Sequence, residues 1–160
     1  MTLRIGHGVD AHRLAGGRPL LLGCVHVDHD RGLAGHSDGD VVAHALCNAL
    51  LGAAGRGDIG SHFPSSEERW RDTPGAEFLA AVARILSAQS VIILSAHVVV
   101  IAEEPRLAPY LEAMSDACAA ALAVDRGLLQ VTATSSDGLG FTGRGEGIAA
   151  SAIVLVERAA

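Results

Sequence analysis

Apolar residues in this chain recur at two different periods, and the order in which those periods alternate constrains its fold more than any other feature. Leu3, Ile5, His7 and Val9 alternate with Arg4, Gly6, Gly8 and Asp10, the period of two that marks a strand ending near Asp10. Leu20 to Cys24 and Val25 to Val27 read as short strands after the Gly16-Gly17 turn, and Asp28 to Gly35 is polar enough to read as loop. Ser37-Asp38-Gly39-Asp40 has the form of a capped helix start, with Ser37 at the cap position three residues ahead of Asp40. Helical spacing then runs from Val41 to Leu51, and Gly52 to Gly57 closes it. Residues Ala76 to Ala88 and Pro109 to Ala123 carry further helical patterns, while Ser90 to Ala102, Leu129 to Thr134 and Ile148 to Glu157 read as strands. Strands and helices arranged this way separate into layers, so the expected class is α+β: a mixed β-sheet with helices packed on one face.

The chain has 160 residues, which suits a single domain spanning 1–160. Hydrophobic residues make up 49% and charged residues 19%, enough apolar surface to offset the ordering entropy of a folded core. Twelve basic against eighteen acidic residues leave a net charge of −6 with no basic block, which speaks against nucleic acid as a partner. All twelve basic residues are Arg, so Schiff-base chemistry and a phosphate-loop lysine are both excluded. Cys24, Cys47 and Cys118 are odd in number and widely spaced, as in a reducing compartment. No apolar run reaches the roughly 18 residues of a membrane span, and the first ten residues lack a signal core, so the expected location is cytoplasmic with no membrane partner.

Six of the eight histidines fall within the first 44 residues, among Asp10, Asp28, Asp30, Asp38 and Asp40. Asp10 and His12 share a strand face if the strand stays extended, and His44 lies one helical turn beyond Asp40. Two imidazoles and a carboxylate with a fourth position open would suit a catalytic zinc; histidines solvating a surface loop would give the same spacing. His7 has the opposite parity from Asp10 and reads as structural. A second cluster, Thr134 to Gly147, is rich in glycine and hydroxyls and suits either close approach to an anion or a plain turn, with Arg144 and Glu146 a candidate ion pair. Asp58, in Gly57-Asp58-Ile59-Gly60, suits a hydroxyl ligand, a cation or a cap. Cys47 reads as packing, Trp70 as a loop anchor, and Ser61 to Gly75 as a segment able to act as a lid.

Four motifs in one order resemble the 2-C-methyl-D-erythritol 2,4-cyclodiphosphate synthase family. They are G-V-D-A-H at Gly8 to His12, H-S-D-G-D-x-x-x-H at His36 to His44, G-D-I-G-x-x-F-P at Gly57 to Pro64 and L-G-F-T-G-R-G-E-G at Leu139 to Gly147. The resemblance implies a phosphorus–oxygen lyase of the non-mevalonate isoprenoid pathway, which cyclises 4-diphosphocytidyl-2-C-methyl-D-erythritol 2-phosphate and releases CMP. It also implies a ferredoxin-like or chorismate-mutase-like homotrimer with active sites shared between neighbours. By the same resemblance Asp10, His12 and His44 hold Zn²⁺, and a second divalent cation, Mg²⁺ or Mn²⁺, accompanies the substrate diphosphate. His36 and Ser135 match transition-state-stabilising positions, and Asp58 matches one that holds the methylerythritol hydroxyls. Ser37, Ile59, Gly60 and Phe63 belong with the implied substrate-binding positions. Ala102, Pro105, Arg106, Leu107 and Ala108, with Thr134, Ser136 and Asp137, match the nucleotide-binding segments. Phe141, Arg144 and Glu146 match the lining of a central trimer cavity that takes isoprenoid diphosphates.

The match has departures. Asn48 stands where relatives usually have Asp, which implies weaker metal affinity through the loss of a nearby carboxylate. Ser135 replaces a usual Thr and Asp137 a usual Glu, changes that keep donor and charge. Gly138 and Arg106 replace common lysines. Asn48 and Gly138 motivate an alternative, a catalytically weakened metal- and nucleotide-binding scaffold; a zinc hydrolase with linear products is a further alternative.

Overall fold

The computed structural model describes residues 1–159. Its strands are β1 (Thr2–Gly16), β2 (Leu20–Leu22), β3 (Val25–Val27), β4 (Arg31–Leu33), β5 (Val91–Ile101), β6 (Leu129–Thr134) and β7 (Gly147–Arg158). The helices are α1 (Val41–Ala54), α2 (Ile59–His62), α3 (Gly75–Ser87), α4 (Leu111–Leu122) and α5 (Gly140–Gly143). Five strands form one sheet in the order β4-β1-β7-β5-β6, and β2 and β3 form a separate hairpin. β5 and β6 are parallel, joined through α4, whereas β1 pairs antiparallel with β4 and β7, and β5 with β7. The expected mixed sheet with helices on one face is therefore present: α1 lies across β1 and β7, α4 lies on β6, and α3 packs against both helices.

Two local expectations are corrected. β1 does not end near Asp10 but continues to Gly16, because its pairing with β7 runs without a break from Thr2↔Arg158 to Arg13↔Gly147. Residues 28–35 are not all loop: Arg31 to Leu33 form β4, an edge strand on the end of β1. Both arise from pairing between distant segments, which local polarity does not report.

The side of β1 that meets the helix layer carries glycine. A β-carbon on Gly6 would lie 1.9 Å from the Ala49 carbonyl oxygen of α1, and one on Gly8 would lie 2.2 Å from that of Ala45. The helix backbone thus rests on the strand backbone with no side chain between them. The opposite face of the sheet carries aliphatics that none of the described elements covers. Leu3, Ile5, Val9 and Ile153 are 62%, 74%, 62% and 56% exposed. His7 lies on this face, bonded to Ser151 at 2.9 Å and away from Asp10, as its parity implies. The core lies on the helix side, where α1 is buried along nearly its whole length. Among the described residues no helix is long and apolar enough to cross a membrane.

Replacing Gly6 by Ala must push α1 off the sheet. We expect Gly6→Ala to lower unfolding free energy by at least about 1–3 kcal/mol, the usual cost of overpacking, in urea titration. A midpoint equal to the wild type would contradict the contact.

Candidate active site

Because β1 stays extended, Asp10 and His12 project from the same face as Gly6 and Gly8, toward α1. His44 reaches them from the first turns of that helix. Asp10 Oδ2 lies 2.8 Å from His12 Nε2 and 3.1 Å from His44 Nδ1, and the two nitrogens are 3.4 Å apart. Ligands at ~2.0–2.1 Å from a tetrahedral zinc are about 3.3–3.4 Å apart, so small adjustments would place these atoms around one ion. Among the described residues this is the one group of His, Cys, Asp and Glu side chains with donor atoms so close together.

The other nitrogen of each ring is already engaged. His12 Nδ1–H donates to the Ala34 carbonyl at 2.6 Å, and His44 Nε2 meets the Ser37 hydroxyl at 3.1 Å within a buried environment. Such partners fix ring orientation and leave the inward nitrogen able to carry a lone pair, the arrangement metal-binding histidines use. The electrostatics agree. Burial pushes the Asp10 carboxyl up, but hydrogen bonds from His12 and His44 outweigh that and hold it well below the ordinary carboxylate range. The Asp10 hydrogen bond raises His12 above its ordinary value of 6.5 against the opposing effect of burial.

Asp40 holds the helix that carries His44. It is fully buried, and its Oδ1 accepts from Gly23, Val42 and Ala43 N–H groups at 2.9, 3.1 and 3.1 Å, while Oδ2 accepts from Cys24 N–H at 2.7 Å. This corrects the expected cap: Asp40, not Ser37, caps α1, and the Ser37 hydroxyl serves His44 instead. Asp38 accepts from the Asp40 and Gly75 backbone N–H groups, joining the starts of α1 and α3. Burial raises its carboxyl above the ordinary value, with the Asp40 charge adding to the effect.

A cavity of about 280 Å³ opens on the triad, lined by Asp10, His12, His36, Ser37, His44, Ile59, Gly60 and Phe63, together with Ser65, Trp70 and Phe78. Trp70 has the anchoring place expected of it, whereas Ser65 and Phe78 carry no individual mark in the sequence; Phe78 belongs to an ordinary amphipathic helix pattern, with nothing local to single it out. Phe63 and Trp70 have ring centroids 5.0 Å apart, Phe63 and Phe78 4.9 Å, and the edge of Phe78 meets His44 at 5.7 Å. The segment from Ser61 to Gly75 thus forms an aromatic wall of the cavity, anchored by Trp70 as expected. His36 Nε2–H donates to the Glu67 carbonyl at 3.3 Å on the same side. Asp58 caps α2 by accepting from Ser61 N–H and Oγ–H at 2.8 and 2.7 Å, bonds that lower its pKa. Asn48 accepts from Ile59 N–H at 2.8 Å, so this amide fastens the Asp58–Gly60 turn to α1.

The remaining sequence-marked residues fall elsewhere. Ala102, Pro105, Arg106, Leu107, Ala108, Thr134 and Ser135 line a second cavity of about 530 Å³ at the β5 and β6 ends. Phe141 and Glu146 border a third of about 220 Å³ beside Ala11, His12 and Arg13. Arg144 pairs with Glu146 at 2.8 Å. Ser136 Oγ bonds within the glycine-rich turn, to Leu139 O and Thr142 Oγ1, and the Asp137 N–H donates to Ser135 Oγ at 3.3 Å. His36 and Ser135, paired by the resemblance, therefore line separate cavities of one chain. Cys47 is buried, and burial pushes its thiol pKa well up, as in a packing residue.

A mixed α+β fold with an Asp-His-His centre beside a cavity defines a class of candidate metal-dependent enzymes. The YgbB family model matches residues 3–157, and the chain belongs to that family. A relative from Moorella thermoacetica, 51% identical over 154 residues (96% of this chain, 94% of that protein), carries the name 2-C-methyl-D-erythritol 2,4-cyclodiphosphate synthase. One from Vibrio cholerae with the same name is 47% identical over 157 residues, 98% of this chain and 99% of that protein. A solved synthase structure of that name, in its CDP-bound form, superposes with a TM-score of 0.87 at 36% identity, covering 96% of this chain and all of the other.

Two outcomes test the site. Asp40→Ala leaves four N–H groups without their acceptor and should lower unfolding free energy by at least about 2–4 kcal/mol in urea; a loss under about 1 kcal/mol would contradict its role. Asp10 favours protonated His12, and a ligated metal must displace that proton. Divalent-metal affinity should therefore fall as pH drops, beginning above 6.5, with proton release on binding seen calorimetrically in buffers of different ionisation heat. Affinity flat from about pH 8 to about pH 6, either side of the ordinary histidine value, would contradict the ligand assignment.

Proposed function

We propose that the chain converts 4-diphosphocytidyl-2-C-methyl-D-erythritol 2-phosphate into 2-C-methyl-D-erythritol 2,4-cyclodiphosphate and CMP, with Asp10, His12 and His44 holding Zn²⁺. The observation that carries the reading is the convergence of Asp10, His12 and His44 in a chain that matches the family along nearly its full length. In the reaction an oxygen of the 2-phosphate bonds to the β-phosphorus. The bond from that phosphorus to the bridging oxygen breaks, and CMP leaves with the electron pair. A bound divalent ion would supply charge neutralisation where two anionic groups must meet, and a second, Mg²⁺ or Mn²⁺, would serve the diphosphate.

The protein groups orient and stabilise. His36 stands in the cavity wall beside the triad, and its Nε2–H, held by the Glu67 carbonyl at 3.3 Å, would have to turn from that carbonyl to a phosphate oxygen as charge develops there. The Asp58–Gly60 turn, held by Asn48, presents backbone and carboxylate acceptors for the methylerythritol hydroxyls. The aromatic wall limits water on one side, and no protein nucleophile is required. The cavity at Ala102–Ala108 with Thr134 and Ser135 would take the cytidine end of a substrate whose nucleotide portion resembles the CDP bound by a solved relative.

We further propose a homotrimer. Three inter-strand steps separate β1 from β6, about 14 Å of sheet, so the metal and nucleotide regions of one chain stand on opposite sides of it. A neighbour's β6 edge brought to the triad would complete the site with Ser135, Ser136 and Asp137. The uncovered aliphatics of β1, β5 and β7 supply an apolar face for that association. On this reading the whole chain is one catalytic domain, Phe141 and Glu146, with Arg144 paired to Glu146, border a central cavity able to take an isoprenoid diphosphate, and the unpaired cysteines suit the cytoplasm.

Zinc-loaded protein given the diphosphocytidyl substrate and Mg²⁺ should release CMP and show a cyclic diphosphate by phosphorus NMR. His12→Ala should lose stoichiometric zinc and reduce turnover by at least about 10²–10³-fold. A linear product would favour the hydrolase, and no turnover by a folded, metal-loaded oligomer would favour the scaffold.

A further inference from the structure

The two groups that orient the candidate metal ligands both come from one short segment after β4. Ala34 supplies the carbonyl that accepts from His12, and Ser37 supplies the hydroxyl that meets His44. Between them Gly35 lies against the His12 ring, where an added β-carbon would be 3.2 Å from Cε1 and Nδ1. Irregular backbone of this kind needs something to hold it, since neither carbonyl of Gly35 or Ser37 is taken by a sheet or helix ladder.

Arg18 supplies that hold. Its Nη1 donates to the Gly35 carbonyl at 2.9 Å and its Nη2 to the Ser37 carbonyl at 2.7 Å, a two-pronged contact that suits the planar guanidinium. Among the described residues no carboxylate lies within salt-bridge distance of it, so the carbonyls are its polar partners. The side chain is half-buried, and its backbone is set by close packing on β4: a β-carbon on Gly32 would fall 2.2 Å from the Pro19 carbonyl oxygen and 2.6 Å from that of Arg18. Bare backbone at Gly32 is thus what lets the Arg18-Pro19 segment lie over β4 and aim the guanidinium at the segment beyond it.

We propose that Arg18 is a positioning residue for the metal centre, tying residues 34–37 so that Ala34 and Ser37 hold the His12 and His44 rings with their inward nitrogens free to bind. The assignment rests on the metal reading above. Arg18 touches neither the triad nor the cavity; its charge opposes protonation of His12, and its hydrogen bonds act through the backbone carrying the orienting groups. Loss of the strap lets both rings turn, and the first quantity to suffer is metal affinity.

The test loads purified full-length variants with Co²⁺ and measures affinity by competition with a chromophoric chelator, together with the visible absorption of the bound ion. Arg18→Ala should weaken binding about tenfold, the lower end of effects seen for groups supporting metal ligands, and alter the visible bands. Arg18→Lys, whose single ammonium cannot bridge both carbonyls, should fall between, and millimolar methylguanidinium should restore part of the Arg18→Ala loss. Arg31→Ala removes another arginine-to-carbonyl strap, to Gly145, and should leave cobalt affinity unchanged. Wild-type affinity and spectrum in a folded Arg18→Ala protein would overturn the proposal while leaving the metal reading intact. If that variant does not fold, wild-type values in Arg18→Lys would overturn it equally. A wild type that binds no cobalt overturns both.

Discussion

Direct contact between the backbone of α1 and that of β1, through Gly6 and Gly8, is the constraint on which the site depends. Any side chain at these positions would lift the helix. His44 projects from α1, while Asp10 and His12 project from the same strand face a few residues further along. The depth at which the helix sits therefore decides whether three donor atoms lie 2.8–3.4 Å apart or merely near one another. Asp40 fixes the same helix at its end, gathering four backbone N–H groups from α1 and from the turn between β2 and β3. Glycines set the depth of α1, and a buried carboxylate sets its start.

The local elements were readable wherever one period persisted. β6 has the expected bounds, and α1, α3, α4, β5 and β7 differ by a few residues at their ends. The triad was readable in part: parity placed Asp10 and His12 on one face, but the approach of His44 depends on how α1 crosses the strand, which no spacing reports. Features made by distant pairing were hidden. The extension of β1, the existence of β4, and the transfer of the cap from Ser37 to Asp40 all follow from tertiary contacts that override short-range propensity. Phe78 and Arg18 were invisible for the same reason, one resembling any core aromatic and the other any surface arginine.

The sheet divides labour between its faces. One carries the helices, the core and the triad; the other presents Leu3, Ile5, Val9, Ile92 and Ile153 without cover. The third cavity shares His12 with the first, but the second has no residue in common with it, so residues that family resemblance unites at one substrate are spread over the chain. A strand edge bearing hydroxyls and a glycine-rich turn, an apolar face and an Asp-His-His centre each look incomplete singly. Association of copies through that face would resolve all three, which is why the oligomer belongs to the functional proposal and not only to the architecture.

The most direct measurement is anomalous diffraction at the zinc edge from crystals of the zinc-loaded protein. The account predicts one strong peak per chain within about 2.0–2.2 Å of Asp10 Oδ2, His12 Nε2 and His44 Nδ1, with a fourth position left to a non-protein ligand. A peak bound elsewhere, or a stoichiometric zinc that leaves these three side chains hydrogen-bonded to one another, would contradict it.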